Sequence, residues 1–374
     1  MHPVVDGLAD RLAARTLALV DVPSVSGSEQ AVLAMIAEQV PPAFEVLDDA
    51  DCVLFLAPRV RRVGTPFVVL AGHVDTVPIA GNVPGRAIEG AIAGRGASDM
   101  KGALAVMLEL ASALEHADGR YDVGLVFFGR EELPYSQSAL LPLFGRCPAA
   151  STPDLAIVME PTDNAIEVGC LGNLNATVSL SGKAAHSARP WLGDNAVHRA
   201  IRALAPLADL PVRETEIDGL VFREVVSITT IEGGVAANVI PDRVEATINF
   251  RYAPGQTPAG AEARLRELLA ATPVELRIDG NAPPGPVSVS NPLVGKLRDA
   301  GDLIVGPKQA WTPVAEFAVA GVDAVNFGPG DPQYAHRDDE RVQVQSLVRC
   351  HTILWAFLGL GAAAGRHEQE GPVT

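Results

Sequence analysis

Paired cysteines are missing from this 374-residue sequence. Its four cysteines, Cys52, Cys147, Cys170 and Cys350, are widely spaced, and no two of them form a C-x-x-C pair. A zinc ribbon or a thioredoxin-like redox motif needs such a pair, so both are excluded. Scattered thiols are typical of reduced cysteines in a cytoplasmic protein, and we therefore expect cytoplasmic localisation.

An excess of positive charge is also missing. The chain has 29 Lys and Arg against 45 Asp and Glu, which gives a formal net charge of −16. Nucleic-acid-binding proteins normally carry a basic face, so we expect no nucleic-acid partner. The longest apolar run, 353–365, is too short to span a bilayer, and the N-terminus lacks the apolar core of a signal peptide. We therefore expect no membrane partner.

The whole chain is long enough for two domains. Over its first part, strand and helix patterns alternate. The predicted helices are 10–20, 28–40 and one that begins near Lys101, and the predicted strands are 67–70, 122–128 and 154–159. Strands interleaved with helices favour an α/β fold with a mixed, largely parallel sheet.

The pattern changes near Gly172. From there the order of predicted elements is β-α-β-β-α-β, which is the ferredoxin-like split unit of an α+β domain. After a Pro/Gly-rich return, α/β patterns resume. We therefore predict a discontinuous α/β domain, 1–172 and 284–374, with a smaller α+β domain, 173–283, inserted into it.

Acidic and imidazole side chains follow the predicted strands of the α/β domain. They are His73 and Asp75, Asp99, Glu131 and Glu132, Glu160, and His336. Each alone could be a helix cap, a turn residue or a surface charge. In open α/β sheets, however, ligands bind beyond the carboxyl ends of the strands. Five separate segments that deliver such groups to one edge predict a single site.

Histidine and carboxylate side chains without thiolates suit zinc or a similar divalent ion. One ion would bind His73, Asp99 and Glu160. A second would bind Asp99, Glu132 and His336. Asp99 would bridge them, because the two oxygens of one carboxylate can hold two neighbouring ions.

Two acidic residues are left without a metal. Asp75 would accept a hydrogen bond from the other ring nitrogen of His73 and so fix its tautomer. Adjacent glutamates cannot both face one ion with equal geometry, so Glu132 would bind the metal while Glu131 would take a proton from the attacking water. Taken alone, the pair of glutamates would be read as a solvated surface turn.

Seven motifs carry a family resemblance, in the order GHVDTVP, GRGASDMKGALA, REE, MEPT, AAHSARPWLGDNA, GGVAANVIPD and GPGDPQYAHRDDE. They resemble the co-catalytic zinc amidohydrolases, which include acylaminoacid deacylases and carboxy-dipeptidases, over about residues 5–360. The resemblance implies a zinc-aminopeptidase-like catalytic domain and two zinc ions per subunit, which cobalt or manganese could replace. It also implies a homodimer formed through the inserted domain, which acts as a lid.

Within that family, residues 169–200 and 326–342 look most like a subgroup that hydrolyses N-succinyl-LL-2,6-diaminopimelate. The implied products are succinate and LL-2,6-diaminopimelate, on the route to lysine. The alternatives are another N-acyl-amino-acid deacylase of acetylornithine type or a dipeptidase. A metal-binding relative without activity, or a metal-independent binding module, would be the non-enzyme alternatives.

The resemblance also implies roles in the inserted domain. His186 matches a histidine that crosses the dimer interface to stabilise the oxyanion, and Asn238 matches a substrate-contacting residue. Arg251 matches an arginine that pairs with a substrate carboxylate, a task that suits a planar guanidinium. Arg189 could contribute, although a surface arginine explains it equally well.

Three features depart from the subgroup. Pro313 stands where an acid usually follows Thr312, with Glu316 nearby. Arg130 precedes the glutamate pair, where a small or acidic residue is usual, and the segment LPYSQSA lacks the usual glycine turn. We expect these changes to flank the substrate pocket, so they bear on the substrate rather than on the reaction.

Overall fold

A computed structural model describes residues 7–116, 119–271 and 273–361. The α-helices are α1 Leu8–Val20, α2 Gln30–Ala37, α3 Gly102–Leu114, α4 Leu140–Arg146, α5 Ala196–Ala208, α6 Pro258–Leu269, α7 Pro292–Gly301, α8 Val314–Val319 and α9 Val344–Leu358. The first eight strands are β1 Phe44–Asp48, β2 Val53–Pro58, β3 Phe67–His73, β4 Arg86–Ile88, β5 Ala91–Ala93, β6 Asp122–Phe128, β7 Leu155–Val158 and β8 Ile166–Val168. The others are β9 Gly172–Ser181, β10 Arg213–Ile217, β11 Leu220–Gly233, β12 Arg243–Tyr252, β13 Glu275–Ala282, β14 Val305–Pro307, β15 Ala324–Asn326 and β16 Arg341–Gln343.

A large mixed sheet has the strand order β1-β2-β6-β3-β7-β15-β8-β14. The pairs β6–β3, β3–β7, β7–β15 and β8–β14 are parallel. Every residue of β3 and β6 is buried, as expected for central parallel strands that are covered on both faces.

Helices cover both faces of this sheet. One face packs against α1, α3, α7 and α9 in the largest apolar cluster. The other face packs against α4 and α8. The helix α3 is rich in alanine and leucine and is buried over most of its length, so it holds the turn that precedes it firmly against the sheet.

A second, antiparallel sheet has the order β10-β11-β12-β9-β13, with α5 and α6 packed on one face. Along β12, Val244, Ala246, Ile248 and Phe250 are buried in that core. The alternate residues, which include Asn249 and Arg251, lie on the opposite face because side chains alternate along a strand.

The α/β class and the mixed, largely parallel sheet are confirmed. Several elements were not expected, among them the β1–β2 hairpin, the edge strand β14, and β10, which adds a strand to the β-α-β-β-α-β order. The boundaries at 172/173 and 283/284 stay a prediction, and the ends 1–6 and 362–374 lie outside the described residues. Among the described residues, no helix is both long and apolar enough to cross a membrane.

Candidate active site

Three neighbouring parallel strands end at the same edge of the large sheet. The strand β3 ends at His73, β6 ends just before Glu131 and Glu132, and β7 ends just before Glu160. Because these strands are adjacent and parallel, their carboxyl ends deliver the three segments to one place.

Asp99 reaches the same place from the turn Ala97–Lys101, which leads into α3. Its peptide bond to Met100 is cis. The carboxylate Oδ1 lies 3.0 Å from His73 Nε2, and Oδ2 lies 3.4 Å from His336 Nε2. Each oxygen of Asp99 therefore faces a different imidazole.

The remaining expected ligands lie on the matching sides of Asp99. Glu160 Oε1 is 3.8 Å from His73 Nε2, and Glu132 Oε1 is 2.9 Å from His336 Nε2. In each group of three residues, the potential ligand atoms lie within 4.8 Å of one another. The two groups are those expected from the sequence, while metal binding itself stays a prediction.

The site has the chemistry of a cation-binding centre. Glu160 Oε1 is buried and has no hydrogen-bond partner among the described residues, which is costly unless a cation or donor satisfies it. The donors are imidazole nitrogens and carboxylate oxygens without thiolates, a set that suits zinc, manganese or cobalt. The residues present therefore fit a divalent metal pair.

The carboxylates crowded into this site favour protonation of the neighbouring side chains. Hydrogen bonds to Asp99 and Glu132 raise the pKa of His336 to about 10. Burial lowers the pKa of His73, but Asp75 and Asp99 outweigh burial, so the net pKa is well above its ordinary value. Burial and the nearby Asp99 raise the pKa of Glu160 to about 7.

Asp75 is fully buried and makes more contacts than expected. His73 Nδ1 lies 3.1 Å from the backbone carbonyl of Asp75 and 3.6 Å from its carboxylate. The carboxylate accepts hydrogen bonds from the hydroxyl of Ser26 at 2.7 Å and from the backbone N–H groups of Glu131 and Glu132, both at 3.1 Å. Asp75 therefore stabilises the turn that contains Glu131 and Glu132 more directly than it orients the imidazole of His73.

Glu131 lies beside the ligands without a partner of its own. Its carboxylate makes no hydrogen bond or ion pair with the described residues, although it can approach His73 and Glu132. Burial, followed by the nearby Glu160, raises the pKa of Glu131 well above its ordinary value. A carboxylate without a partner beside the two proposed ligand groups has the position needed in a general base.

A cavity of about 900 Å³ opens above these residues, between the large sheet and the antiparallel sheet. Arg251 lines it from β12. Its Nε donates to Asn249 Oδ1 at 2.9 Å, while Nη1 and Nη2 make no hydrogen bond to the described residues. Asn249 is itself held by the side chains of Asn173 and Asn175. The two free nitrogens of Arg251 thus present a fork suited to a carboxylate.

His186, Arg189 and Asn238 are exposed and do not line this cavity. They lie together, because Ser187 N donates to Asn238 O and Arg189 N donates to His186 O. His186 Nδ1 accepts from Ala188 N at 3.1 Å, so in the neutral imidazole the proton sits on Nε2, which makes no hydrogen bond to the described residues. Within one chain, these three residues and the metal-ligand groups are separate.

The departures from the subgroup pattern do not all border the cavity. Tyr135 and Ser136 line it, and Tyr135 packs edge-on against Trp311 at 5.8 Å between ring centroids. Arg130 instead donates to Asp51 at 2.6 Å, and Pro313 caps α8 without being part of the cavity lining.

Several residues of the site were missed from the sequence. Ser26 supports Asp75, and Asn173 and Asn175 hold the Arg251 network. The asparagines could have been found, since they occupy alternate positions on the polar face of β9. Glu340 is the last residue of the motif that contains His336, and its carboxylate accepts a hydrogen bond from the backbone N–H of Asp99.

Comparison with known proteins gives a consistent result. The model of peptidase family M20/M25/M40 matches residues 69–359. A Corynebacterium glutamicum succinyl-diaminopimelate desuccinylase is 36% identical, covering 96% of this chain and 98% of that protein. A Mycobacterium tuberculosis protein, DapE, provisionally given the same name, is 39% identical, covering 92% and 97%.

Among solved structures, a Sulfolobus solfataricus metallo-carboxypeptidase of family M20 has the same fold, with a TM-score of 0.74 and 17% identity over 94% of this chain and 99% of that one. The family model and the relatives agree with each other, and the solved structure shows the same fold. The chain therefore belongs to peptidase family M20/M25/M40 and is a metal-dependent hydrolase.

Proposed function

We propose that this protein hydrolyses N-succinyl-LL-2,6-diaminopimelate to succinate and LL-2,6-diaminopimelate, with two zinc ions per subunit. The substrate is supported by relatives that are 36–39% identical over nearly the whole chain and carry that activity in their names. An acyl amino acid is also the substrate class that suits a cavity with a guanidinium fork on one wall and a carboxylate cluster on the other.

The observation that carries the proposal is the arrangement around Asp99. Its two oxygens are shared between two groups of ligands, and the unpartnered Glu131 lies next to them. A cluster of carboxylates with a purely structural role would need only enough cations and hydrogen-bond donors to balance its own charge. A carboxylate without a partner beside it is the additional part that hydrolysis requires.

His73, Asp99 and Glu160 would hold one ion, and Asp99, Glu132 and His336 would hold the other. Bound there, the metal pair would polarise the scissile carbonyl and lower the pKa of a water molecule. Manganese or cobalt could replace zinc, because the ligands are the same nitrogen and oxygen donors.

The protein's own residues would handle the proton and the substrate. Glu131 would take a proton from the attacking water and pass it to the leaving amine. Asp75 would keep Glu131 in place through its hydrogen bond to the Glu131 N–H. Arg251 would bind a substrate carboxylate through its two free nitrogens.

We propose that His186 acts in the active site of a partner subunit, together with Asn238 and Arg189. The Nε2–H of His186, whose Nδ1 accepts from Ala188 N, would donate to the oxyanion. The surrounding loops also expose Trp191 and Val235, which are 75% and 84% accessible. Exposed apolar side chains beside polar ones are typical of a protein-binding surface, which supports a homodimer formed through this region.

Hydrolysis of N-succinyl-LL-2,6-diaminopimelate, with detection of the released amine, tests the proposal. The metal-depleted protein should be inactive, and added zinc should restore turnover. N-acetylornithine and a dipeptide serve as comparison substrates. A zinc-restored enzyme that prefers either comparison substrate would refute the desuccinylase assignment while leaving the hydrolase class intact.

One observation favours a different acyl amino acid as a second candidate. The wall formed by Tyr135 and Trp311 is aromatic, and it lies in the segments where the sequence departs from the subgroup. An N-acyl amino acid with an apolar side chain would pack against this wall. Including such a compound among the comparison substrates separates the two candidates.

A further inference from the structure

A buried ion pair lies behind the metal-ligand groups. Arg95 Nη1 and Glu340 Oε2 are 2.9 Å apart, and the two side chains are only 4% and 1% exposed. Removing two charges from water is expensive, so a buried pair is weak evidence of a stabilising role. Its other contacts indicate what it does.

Glu340 holds the backbone on which Asp99 is mounted. Its Oε1 accepts hydrogen bonds from the N–H groups of Ser98 and Asp99, both at 3.1 Å. These N–H groups immediately precede the Asp99 side chain. A single carboxylate oxygen thus fixes the position from which the bridging carboxylate projects toward the two imidazoles.

Arg95 connects the same point to the other ligand segments. Its Nε donates to the carbonyl of Pro78, at the end of the segment that carries His73 and Asp75, at 3.1 Å. Its Nη1 also donates to the carbonyl of Arg337, directly after His336, at 3.1 Å. The pair therefore ties together the segments that supply three of the expected ligands.

We propose that Arg95 and Glu340 are positioning residues that set the separation of the two metal sites by holding Asp99 between His73 and His336. The inference rests on the proposed metal pair and adds the residues that fix its geometry. Neither residue touches the ligand side chains, so their effect passes through backbone hydrogen bonds. Outer residues of this kind typically change metal affinity by about 10- to 100-fold.

Two variants test the proposal. In Glu340→Gln, the amide has one accepting oxygen and one donating nitrogen, so it cannot accept from both the backbone and Arg95. In Arg95→Lys, the charge stays but the planar fork that reaches Pro78, Arg337 and Glu340 is lost. Asp122→Asn is the matched control, because buried Asp122 also accepts from a backbone N–H and an arginine, Arg62, but at the opposite end of β6.

Metal-free proteins are titrated with Zn²⁺ by calorimetry, and the visible absorption of the cobalt-substituted proteins is recorded. We expect both variants to bind metal about 10- to 100-fold more weakly than wild type, with shifted cobalt bands and a lower kcat at similar KM. The control should lose thermal stability only. If Glu340→Gln does not fold, the zinc affinity and cobalt spectrum of Arg95→Lys alone test the proposal.

Wild-type affinity and an unchanged cobalt spectrum in the variants, with a loss of thermal stability like that of the control, would overturn the proposal and make the pair purely structural. A wild-type protein that binds no metal pair would instead refute the proposed function, and this inference with it. The two failures are therefore distinguishable.

Discussion

Glu131 and Glu132 are neighbours in the chain but meet different surroundings. Glu132 points to His336 at 2.9 Å, whereas the Glu131 carboxylate has no partner among the described residues. Asp75 binds both of their backbone N–H groups and so fixes the turn that separates them. Two identical residues can therefore divide the tasks of ligand and base.

Glu131→Gln should abolish turnover and leave the metal bound. The amide cannot accept a proton, and loss of a general base typically costs about 10²- to 10⁴-fold in rate. Turnover and metal content, measured on the same preparation, check this. Metal loss in proportion to activity would make Glu131 a ligand and reverse the roles of the pair.

Arg251→Lys should raise KM for N-succinyl-LL-2,6-diaminopimelate, and Arg251→Ala should raise it further. The lysine keeps the charge but loses the two-pronged geometry that the free nitrogens of Arg251 offer. Steady-state kinetics and metal analysis check this, with metal content expected to be unchanged. KM values within about twofold of wild type for both variants would remove Arg251 from the substrate site.

At the scale of single elements, α8 carries a buried carboxyl group. Glu316 is 1% exposed, and its Oε1 has no hydrogen-bond partner among the described residues. Burial raises its pKa to about 7, although the hydroxyl of Ser138 acts in the opposite direction. The folded protein thus holds the proton more tightly than the unfolded chain, in which an ordinary glutamate titrates near 4.5.

Glu316→Gln should remove a pH-dependent part of the stability. With its folded pKa raised, the Glu316 carboxyl contributes most to the wild-type free energy of unfolding below about pH 4.5, and this contribution is lost as pH rises to about 7. Relative to the wild type, the variant should gain about 1–3 kcal/mol between pH 5 and pH 8. Urea unfolding at both values measures this.

Glu267→Gln, on the exposed face of α6, is the control for that experiment. This variant removes a carboxylate whose side chain is 70% exposed, so it lacks the burial on which the Glu316 prediction depends. If the stability of Glu316→Gln relative to wild type depends on pH no more than that of Glu267→Gln, burial does not raise the pKa of Glu316 in the folded protein. Our account of α8 would then be wrong.

How well an element could be predicted depended on how its burial shows in the sequence. The fully buried β3 and β6 form continuous apolar runs, so both were expected. The edge strand β10 reads RETEI and has no buried face to produce a pattern; charged residues of this kind protect sheet edges. The strand β2 is buried, but a short apolar run does not distinguish strand from helix.

At the scale of the whole molecule, the parts of the site that could be predicted are those with a signal in the local sequence. The convergence of the proposed ligands at the strand ends could be predicted, because parallel strands bring their carboxyl ends to one edge. The contact between Arg95 and Glu340 joins residues 245 positions apart, so no local sequence pattern predicts it. The separation of His186 from the cavity was also invisible in the sequence, since it depends on how two sheets are oriented.

A mixed dimer tests whether His186 acts across subunits. His186→Ala alone should lower turnover by about 100-fold or more, the usual cost of losing an oxyanion donor. When it is mixed with Glu131→Gln and the subunits exchange, half of the dimers are mixed and each has one intact site. The mixture should therefore recover about a quarter of wild-type activity.

Each variant incubated alone under the same exchange conditions is the control and should keep only its own low activity. An exchanged mixture that shows no recovery would place His186 in the active site of its own chain or outside catalysis altogether.

The strand order has a consequence for how the protein is made. Because β15 lies between β7 and β8, the large sheet stays incomplete until residue 326 has left the ribosome. The antiparallel sheet is contiguous in sequence, from β9 to β13, and can fold earlier, since domains generally fold as units during synthesis. His336 emerges later still, so the second group of proposed ligands, Asp99, Glu132 and His336, becomes complete only after the antiparallel sheet has been synthesised.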